Sequence, residues 1–184
     1  MNKIKRVSLM FRLLFQSVFV VLPLLVLVAW IMAPETLSFL KGTINFELSP
    51  LHEYPVLHPM SLLNKLLGFG VSMIPVGIHM ITLYFLIKLF RLYEQGKIFS
   101  LHNVCYIRNI GYTLLVGQLL HPFYEALMGL VLTWNNPPHQ GLRFISVSFD
   151  RTNVSVILIA LLVILISWIM AEGYKLQEEQ QLTI

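Results

Sequence analysis

Apolar side chains dominate four long stretches of the chain, and shorter polar segments separate them. The stretches are residues 13–33, 66–87, 109–133 and 152–171; three of them contain no Asp, Glu, Lys or Arg, and 109–133 contains only Glu125. A hydrocarbon core of about 30 Å takes about 20 apolar residues per helical crossing, so each stretch is long enough for one crossing. The pattern therefore predicts four transmembrane helices, at about 13–33, 66–93, 103–133 and 152–172.

The first apolar stretch follows the basic segment MNKIKRVSLMFR, and a signal peptide begins in the same way. The stretch is longer than the roughly 7–15 residues of a signal peptide's hydrophobic region. A cleavage site after Ala33 would also place Ile31 at the −3 position, where a small residue is needed. We therefore expect an uncleaved helix, bent near Pro23, where one backbone hydrogen bond is missing.

Two connections, residues 34–62 and 134–151, are too polar to lie in lipid, and each contains alternating polar and apolar side chains. The alternating segments are 43–48 and 142–149, and a period of two is typical of a β-strand. A lone two-stranded ribbon is marginal in water, but both segments are attached to helix ends, so we expect them to pair. The predicted fold of residues 1–184 is a single all-α membrane domain, a four-transmembrane-helix bundle with a small extracytoplasmic β element.

The turn between the second and third helices, within residues 86–112, is short and basic. We expect Gly96 to form the turn and Ser100 to cap the third helix as its N-cap residue. This turn carries four cations, Lys88, Arg91, Lys97 and Arg108.

The distribution of Lys and Arg predicts the orientation of the chain. The turn and the two terminal segments together hold nine Lys and Arg residues, against four on the opposite side. Because cations favour the cytoplasm, we expect both termini to be cytoplasmic. The net charge of +4 then needs no nucleic-acid partner, whereas a basic patch that binds anionic lipid stays open.

The composition agrees with a protein whose solvent is the lipid bilayer. Of the 184 residues, 57% are hydrophobic and 12% are charged, which is too apolar for an ordinary soluble domain. The one cysteine, Cys105, excludes an internal disulfide and a cysteine-rich metal site.

A few polar side chains interrupt the apolar stretches. Glu125 is the strongest candidate for chemistry, because an ionisable group inside a membrane is costly. Gln118, His121 and Glu125 share one face of the third helix, and Ser72 and His79 share one face of the second. We take these five residues as a candidate intramembrane polar site that handles protons or cations or binds a polar ligand. Alternatively, Glu125 pairs with His121 and only fixes the third helix against its neighbours.

Two histidines at similar depth, His79 and His121, raise the alternative of haem ligation, since imidazoles from two helices can bind haem iron. The other histidines lie in connecting segments and lack the spacing of metal ligands. The sequence contains no dinucleotide fingerprint, no phosphate-binding loop and no nucleophile elbow. We therefore expect no enzymatic activity and no cofactor, with haem binding, small-ligand binding or transport as the alternative function.

Two motifs carry a family resemblance. The turn region reads RLYEQGKIFSLHNVCYIRNIGY, and its matching positions are Arg91, Gly96, Ile98-Phe99, Asn103, Arg108 and Ile110-Gly111. The tail, residues 173–184, matches at Gly173, Leu176, Glu179 and Leu182-Thr183, and has Gln181 where an Asp is frequent. Both motifs are similar to those of a bacterial membrane-protein family catalogued as domain of unknown function 2975, over nearly the whole chain.

The resemblance implies a regulatory protein of the bacterial cytoplasmic (inner) membrane, because members commonly lie beside a small helix-turn-helix transcription regulator. Such a regulator is the expected partner, with no direct contact to nucleic acid, and a homo-oligomer stays open. The tail supplies the candidate partner-binding residues Leu176, Glu178, Glu179 and Leu182. Alternatively, the tail docks beside the basic turn.

Overall fold

The computed structural model describes residues 3–31, 61–97, 100–134 and 154–182, with side chains described up to Glu179 in the last range. These residues form four long helices: α1 (Lys3–Ile31), α2 (Leu62–Glu94), α3 (Leu101–Thr133) and α4 (Val154–Leu182).

All four helices are long and apolar enough to cross a membrane, which confirms the all-α prediction with four membrane-spanning helices. Two of them extend well beyond the predicted helices, since α1 begins at Lys3 and α4 ends at Leu182. The polar ends are rich in Lys, Arg, Glu, Gln and Leu, which have good helix propensity, so the helix continues through them. α1 also continues through Pro23.

The predicted β element falls on segments 43–48 and 142–149, which lie outside the described residues. The ranges that the structure does describe contain no β-strand, so nothing in them supports this part of the predicted fold. The β element stays a prediction, as does the single domain over residues 1–184.

α1 buries one narrow stripe of side chains. Their spacing is four or three residues and alternates as far as Val26, which is typical of helices that pack at a small crossing angle. The other side chains of α1 are mostly exposed Leu and Val, as expected for a surface in contact with lipid. The stripe comprises Ser8, Arg12, Phe15, Phe19, Leu22, Val26 and Trp30, and Pro23 and Ala29 beside it are also half-buried.

α4 has the same alternation, but small side chains occupy its most buried positions. Ala160 and Ser167 are fully buried, whereas the described Leu side chains of α4, Trp168 and most of its Ile side chains are exposed. Small residues let helix backbones approach closely in a membrane, where van der Waals packing is a main source of helix association.

The contacts divide the chain into two compact units. Unit 1 comprises Met1–Val20, Ile78–Leu119 and Asn153–Ile184; unit 2 comprises Val21–Gly77 and Leu120–Thr152. In unit 2, a buried apolar cluster on α3 packs against one side chain of α1 and one of α2; its members are Tyr124, Met128 and Leu132, with Trp30 and Val71 against them.

In unit 1, aromatic side chains pack α1 and α3 against α2. The ring of Phe90 lies 5.3 Å from that of Phe11 and 5.5 Å from that of Phe15, centroid to centroid. Phe85 of α2 lies 6.2 Å from Tyr106 of α3. Such ring pairs add about 0.5–1.5 kcal/mol each beyond the area that they bury.

Candidate functional site

The basic turn of unit 1 begins where α2 ends in a left-handed glycine. Gly96 has a φ of 79°, which a residue with a Cβ adopts only with strain. The N–H of Gly96 donates to the carbonyl of Tyr93 at 3.0 Å, and the N–H of Lys97 donates to that of Leu92 at 3.1 Å. These two bonds form a Schellman motif, which satisfies the last carbonyls of α2 and ends the helix.

The start of α3 is fixed by Ser100 and Asn103. The Ser100 Oγ accepts a hydrogen bond from the Asn103 N–H at 3.3 Å, which confirms the predicted N-cap. Asn103 is 0% exposed, and its Nδ2 donates to the carbonyl oxygen of Lys97 at 2.6 Å. The Asn103 side chain thus ties the turn to α3. Ile98 and Phe99 lie outside the described residues.

A second contact in unit 1 was not visible in the sequence. Arg12 of α1 forms an ion pair with Glu94 at the end of α2, with Nη1 and Oε2 2.8 Å apart, and both side chains are partly buried. Arg12 is one of the nine Lys and Arg residues predicted to be cytoplasmic, and Glu94 has no predicted role. The sequence did mark Glu94, the one acidic residue within residues 86–112, but it gave no sign of which cation would pair with it.

The candidate intramembrane site divides between the two units. Glu125 and His121 lie in unit 2, one turn apart on α3, with Oε1 of Glu125 3.7 Å from Nδ1 of His121. Glu125 is 7% exposed, and the His121 ring lies 6.1 Å from the buried ring of Tyr124. The structure therefore brings together the pair that the sequence singled out.

Ser72 also lies in unit 2, where it contacts α1. Ser72 is 1% exposed, and its Oγ accepts a hydrogen bond from Nε1 of Trp30 at 3.0 Å. One turn earlier on α2, the Trp30 ring covers Gly68, where an added Cβ would lie 2.1 Å from the ring. Gly68 and Ser72, four residues apart, are small enough for the Trp30 indole to pack directly against α2.

The remaining two members lie in unit 1. His79 of α2 is exposed, although it is seven residues from the buried Ser72, and Gln118 of α3 is half-buried. No group of three or more His, Cys, Asp or Glu side chains that could hold a metal ion occurs among the described residues. Haem ligation by His79 and His121 stays a prediction from residue type and depth.

The tail continues α4 as a helix. Lys175, Leu176, Gln177, Glu178 and Glu179 are all exposed, and the Lys175 Nζ lies 3.3 Å from the Glu172 carboxylate. These five side chains are exposed, and docking of the tail beside the turn stays an alternative prediction. The side chain of Leu182 lies outside the described residues.

The model of one protein family, described as "Protein of unknown function (DUF2975)", matches residues 28–184. The matched range includes both the turn and the tail motifs. No curated protein and no solved structure matches the chain.

Proposed function

This chain belongs to the family described as a protein of unknown function, DUF2975, and from that premise we propose that it is a non-enzymatic regulatory membrane protein. It binds or sequesters a cytoplasmic partner, for which the family resemblance favours a small helix-turn-helix transcription regulator. One observation carries the proposal: α4 continues past its apolar stretch as an unbroken helix whose side chains, from Lys175 to Glu179, are exposed.

The length of α4 supports a projecting tail. Its 29 residues give a helix of about 43 Å at about 1.5 Å per residue, whereas the hydrocarbon core is about 30 Å thick. A crossing that starts at Val154 therefore leaves about nine residues beyond the hydrocarbon core. These residues include Leu176, Glu178 and Glu179, and the helical backbone holds them in a fixed direction.

Both termini, the basic turn and the tail lie in the cytoplasm of a bacterial cell in this proposal, and the membrane is the inner membrane. The excess of Lys and Arg on that side supports the orientation. The two polar connections then lie outside the cytoplasm, where segments 43–48 and 142–149 form the small β element predicted from their alternation.

The tail combines acidic side chains with an exposed apolar side chain, and a basic DNA-binding domain can contact both. The carboxylates of Glu178 and Glu179 attract a basic surface and orient its approach. Leu176 is 55% exposed, and fully burying a Leu side chain contributes about 1.5–3 kcal/mol, so the contact gains affinity as well as direction. A regulator held there by its basic surface is kept from DNA.

The test uses variants of the full chain in its native host. Truncation after Gly173, Leu176→Ala, and Glu178→Gln combined with Glu179→Gln should each move the adjacent regulator from the membrane fraction to the soluble fraction and change transcription of its targets. Membrane fractionation with quantitative immunoblotting and transcript measurement give the two readouts.

Two substitutions serve as matched controls for these variants. Leu165 has the same exposed fraction as Leu176 but lies within the apolar stretch, and Glu172 is an exposed acid paired with Lys175. Leu165→Ala and Glu172→Gln should leave the regulator on the membrane. If the tail variants insert normally and the regulator keeps its distribution, the tail is structural and the proposal fails.

The burial of Glu125 beside His121 favours a second candidate function, the binding or transport of a small polar ligand or haem. Substituting Glu125 by Gln would then abolish that activity without moving the regulator. For haem, the purified protein should show a Soret band that His79→Ala or His121→Ala removes; a colourless preparation rejects haem.

A further inference from the structure

On α2, a tyrosine and two cations lie on one outward-facing stripe. Tyr84 is 47% exposed, Arg91 is exposed and Lys88 is half-buried. Their spacings of four and three residues place them within about 60° of one another around the helix axis. The Lys88 Nζ lies 5.4 Å from the centre of the Tyr84 ring, close enough for a cation–π contact.

On α3, a tyrosine and a cation are also four residues apart, but here the cation comes before the tyrosine in the chain. Tyr112 is also 47% exposed, and the half-buried Arg108 lies four residues nearer the turn. Arg108 reaches toward the exposed Cys105, with Nη2 4.0 Å from Sγ. Both helices of the turn therefore bear a tyrosine followed, toward the turn, by a cation one helical turn away.

The depth of these side chains matches the layers of a lipid leaflet. The apolar stretches end at Lys88 on α2 and at Arg108 on α3, so these are the first charges beyond the hydrocarbon core. A helical turn of four residues advances about 6 Å, and the headgroup layer of one leaflet is about 5–8 Å thick. A tyrosine at the hydrocarbon boundary therefore places the cation four residues away, Lys88 or Arg108, at the level of the lipid phosphates. The backbone of Arg91 lies about 4.5 Å farther out than that of Lys88, a distance that its long, flexible side chain can span.

We propose that Lys88, Arg91 and Arg108 bind the phosphate of anionic phospholipid headgroups, with Tyr84 and Tyr112 at the boundary below them. The cations are available for this ligand because Glu94, the one acid within residues 86–112, is already engaged by Arg12. Lys and Arg both donate charge-assisted hydrogen bonds to phosphate oxygens. The occupant is a lipid of the surrounding membrane, and the interaction is independent of the tail that the proposed function uses.

The experiment titrates the purified full-length protein in detergent with phosphatidylglycerol and with phosphatidylcholine, and reads the dissociation constant of each lipid by native mass spectrometry. Phosphatidylglycerol should bind more tightly. Each cation near an anionic surface contributes about a fivefold factor, so Lys88→Gln with Arg108→Gln should weaken phosphatidylglycerol binding by about 25-fold. Phosphatidylcholine carries the same phosphodiester, but its choline cation cancels the net charge, so its weaker binding should fall by a smaller factor than that of phosphatidylglycerol.

Lys65 at the start of α2 provides the matched control, and Lys65→Gln should leave phosphatidylglycerol binding unchanged. Lys88→Arg with Arg108→Lys should restore it. If the double variant is unstable, substitution of the exposed Arg91 alone, Arg91→Gln, should still weaken phosphatidylglycerol binding by about fivefold. Equal binding of the two lipids, full binding by the Gln variants, or an equal loss with Lys65→Gln overturns the proposal. So does displacement of the lipid by millimolar inorganic phosphate, which would indicate a site for free phosphate.

Discussion

At Gly111, the lack of a side chain sets the distance between α3 and α4. A Cβ there would lie 2.6 Å from Cγ1 of Ile164 and 3.1 Å from the carbonyl oxygen of Ala160. Because one of these atoms belongs to the backbone, a rotamer change cannot relieve the clash. We expect Gly111→Ala to lower the stability of the folded protein by about 1–3 kcal/mol, as overpacking does, and thermal unfolding in detergent measures the loss.

Gly70 is the matched control for this substitution, since among the described residues no atom outside its own helix backbone and chain neighbours lies within 4 Å of the position of its Cβ. Ala has a better helix propensity than Gly by about 1 kcal/mol, so Gly70→Ala should be neutral or stabilising. Equal melting temperatures for the two variants would show that α3 and α4 do not approach each other as closely as described.

The sequence could not separate these glycines. Gly68 and Gly111 have crowded Cβ positions, whereas Gly70 and Gly77 have open space, and all four lie in apolar surroundings along the chain. The difference depends on side chains of other helices, which no local pattern contains. Glu125 could be found because an acid within an apolar stretch is visible by itself.

Among the elements, the basic turn depends on the left-handed conformation of Gly96. A residue with a Cβ at a φ of 79° costs roughly 1–2 kcal/mol. Gly96→Ala should therefore lower the melting temperature and, by loosening the start of α3, speed the reaction of the exposed Cys105 with a maleimide. Gly173→Ala is the control, because Gly173 lies within α4 with open space around its Cβ. A Gly96→Ala variant that melts and reacts like Gly173→Ala would contradict the role given to this turn.

The turn was predictable because its chemistry is local: a Gly ends one helix, and a Ser caps the next. The buried face of α4 was not predictable, because apolar residues occur on all sides of this helix. In a soluble protein the large apolar side chains would mark the buried face, but lipid solvates them equally well. The fully buried residues of α4, Ala160 and Ser167, have small side chains that do not stand out as apolar in the sequence.

For the whole molecule, the number of helices could be predicted because bilayer thickness imposes a length and a composition on every crossing. The ion pair between Arg12 and Glu94 could not, since charges near membrane boundaries are common and their partners depend on which helix ends meet. The family match over residues 28–184 identifies relatives of this chain but assigns no activity, so the proposed function rests on the exposed tail.

The orientation of the whole molecule can be tested with two single-cysteine proteins. The natural Cys105 lies at the turn end of α3 and is exposed, and Ser61, also exposed, precedes α2 at its opposite end. With the turn in the cytoplasm, a membrane-impermeant maleimide should label Cys105 only after the cells are permeabilised. Ser61→Cys in a Cys105→Ser background should be labelled in intact spheroplasts. The reverse labelling pattern would place the termini outside the cytoplasm and remove the basis for a cytoplasmic partner.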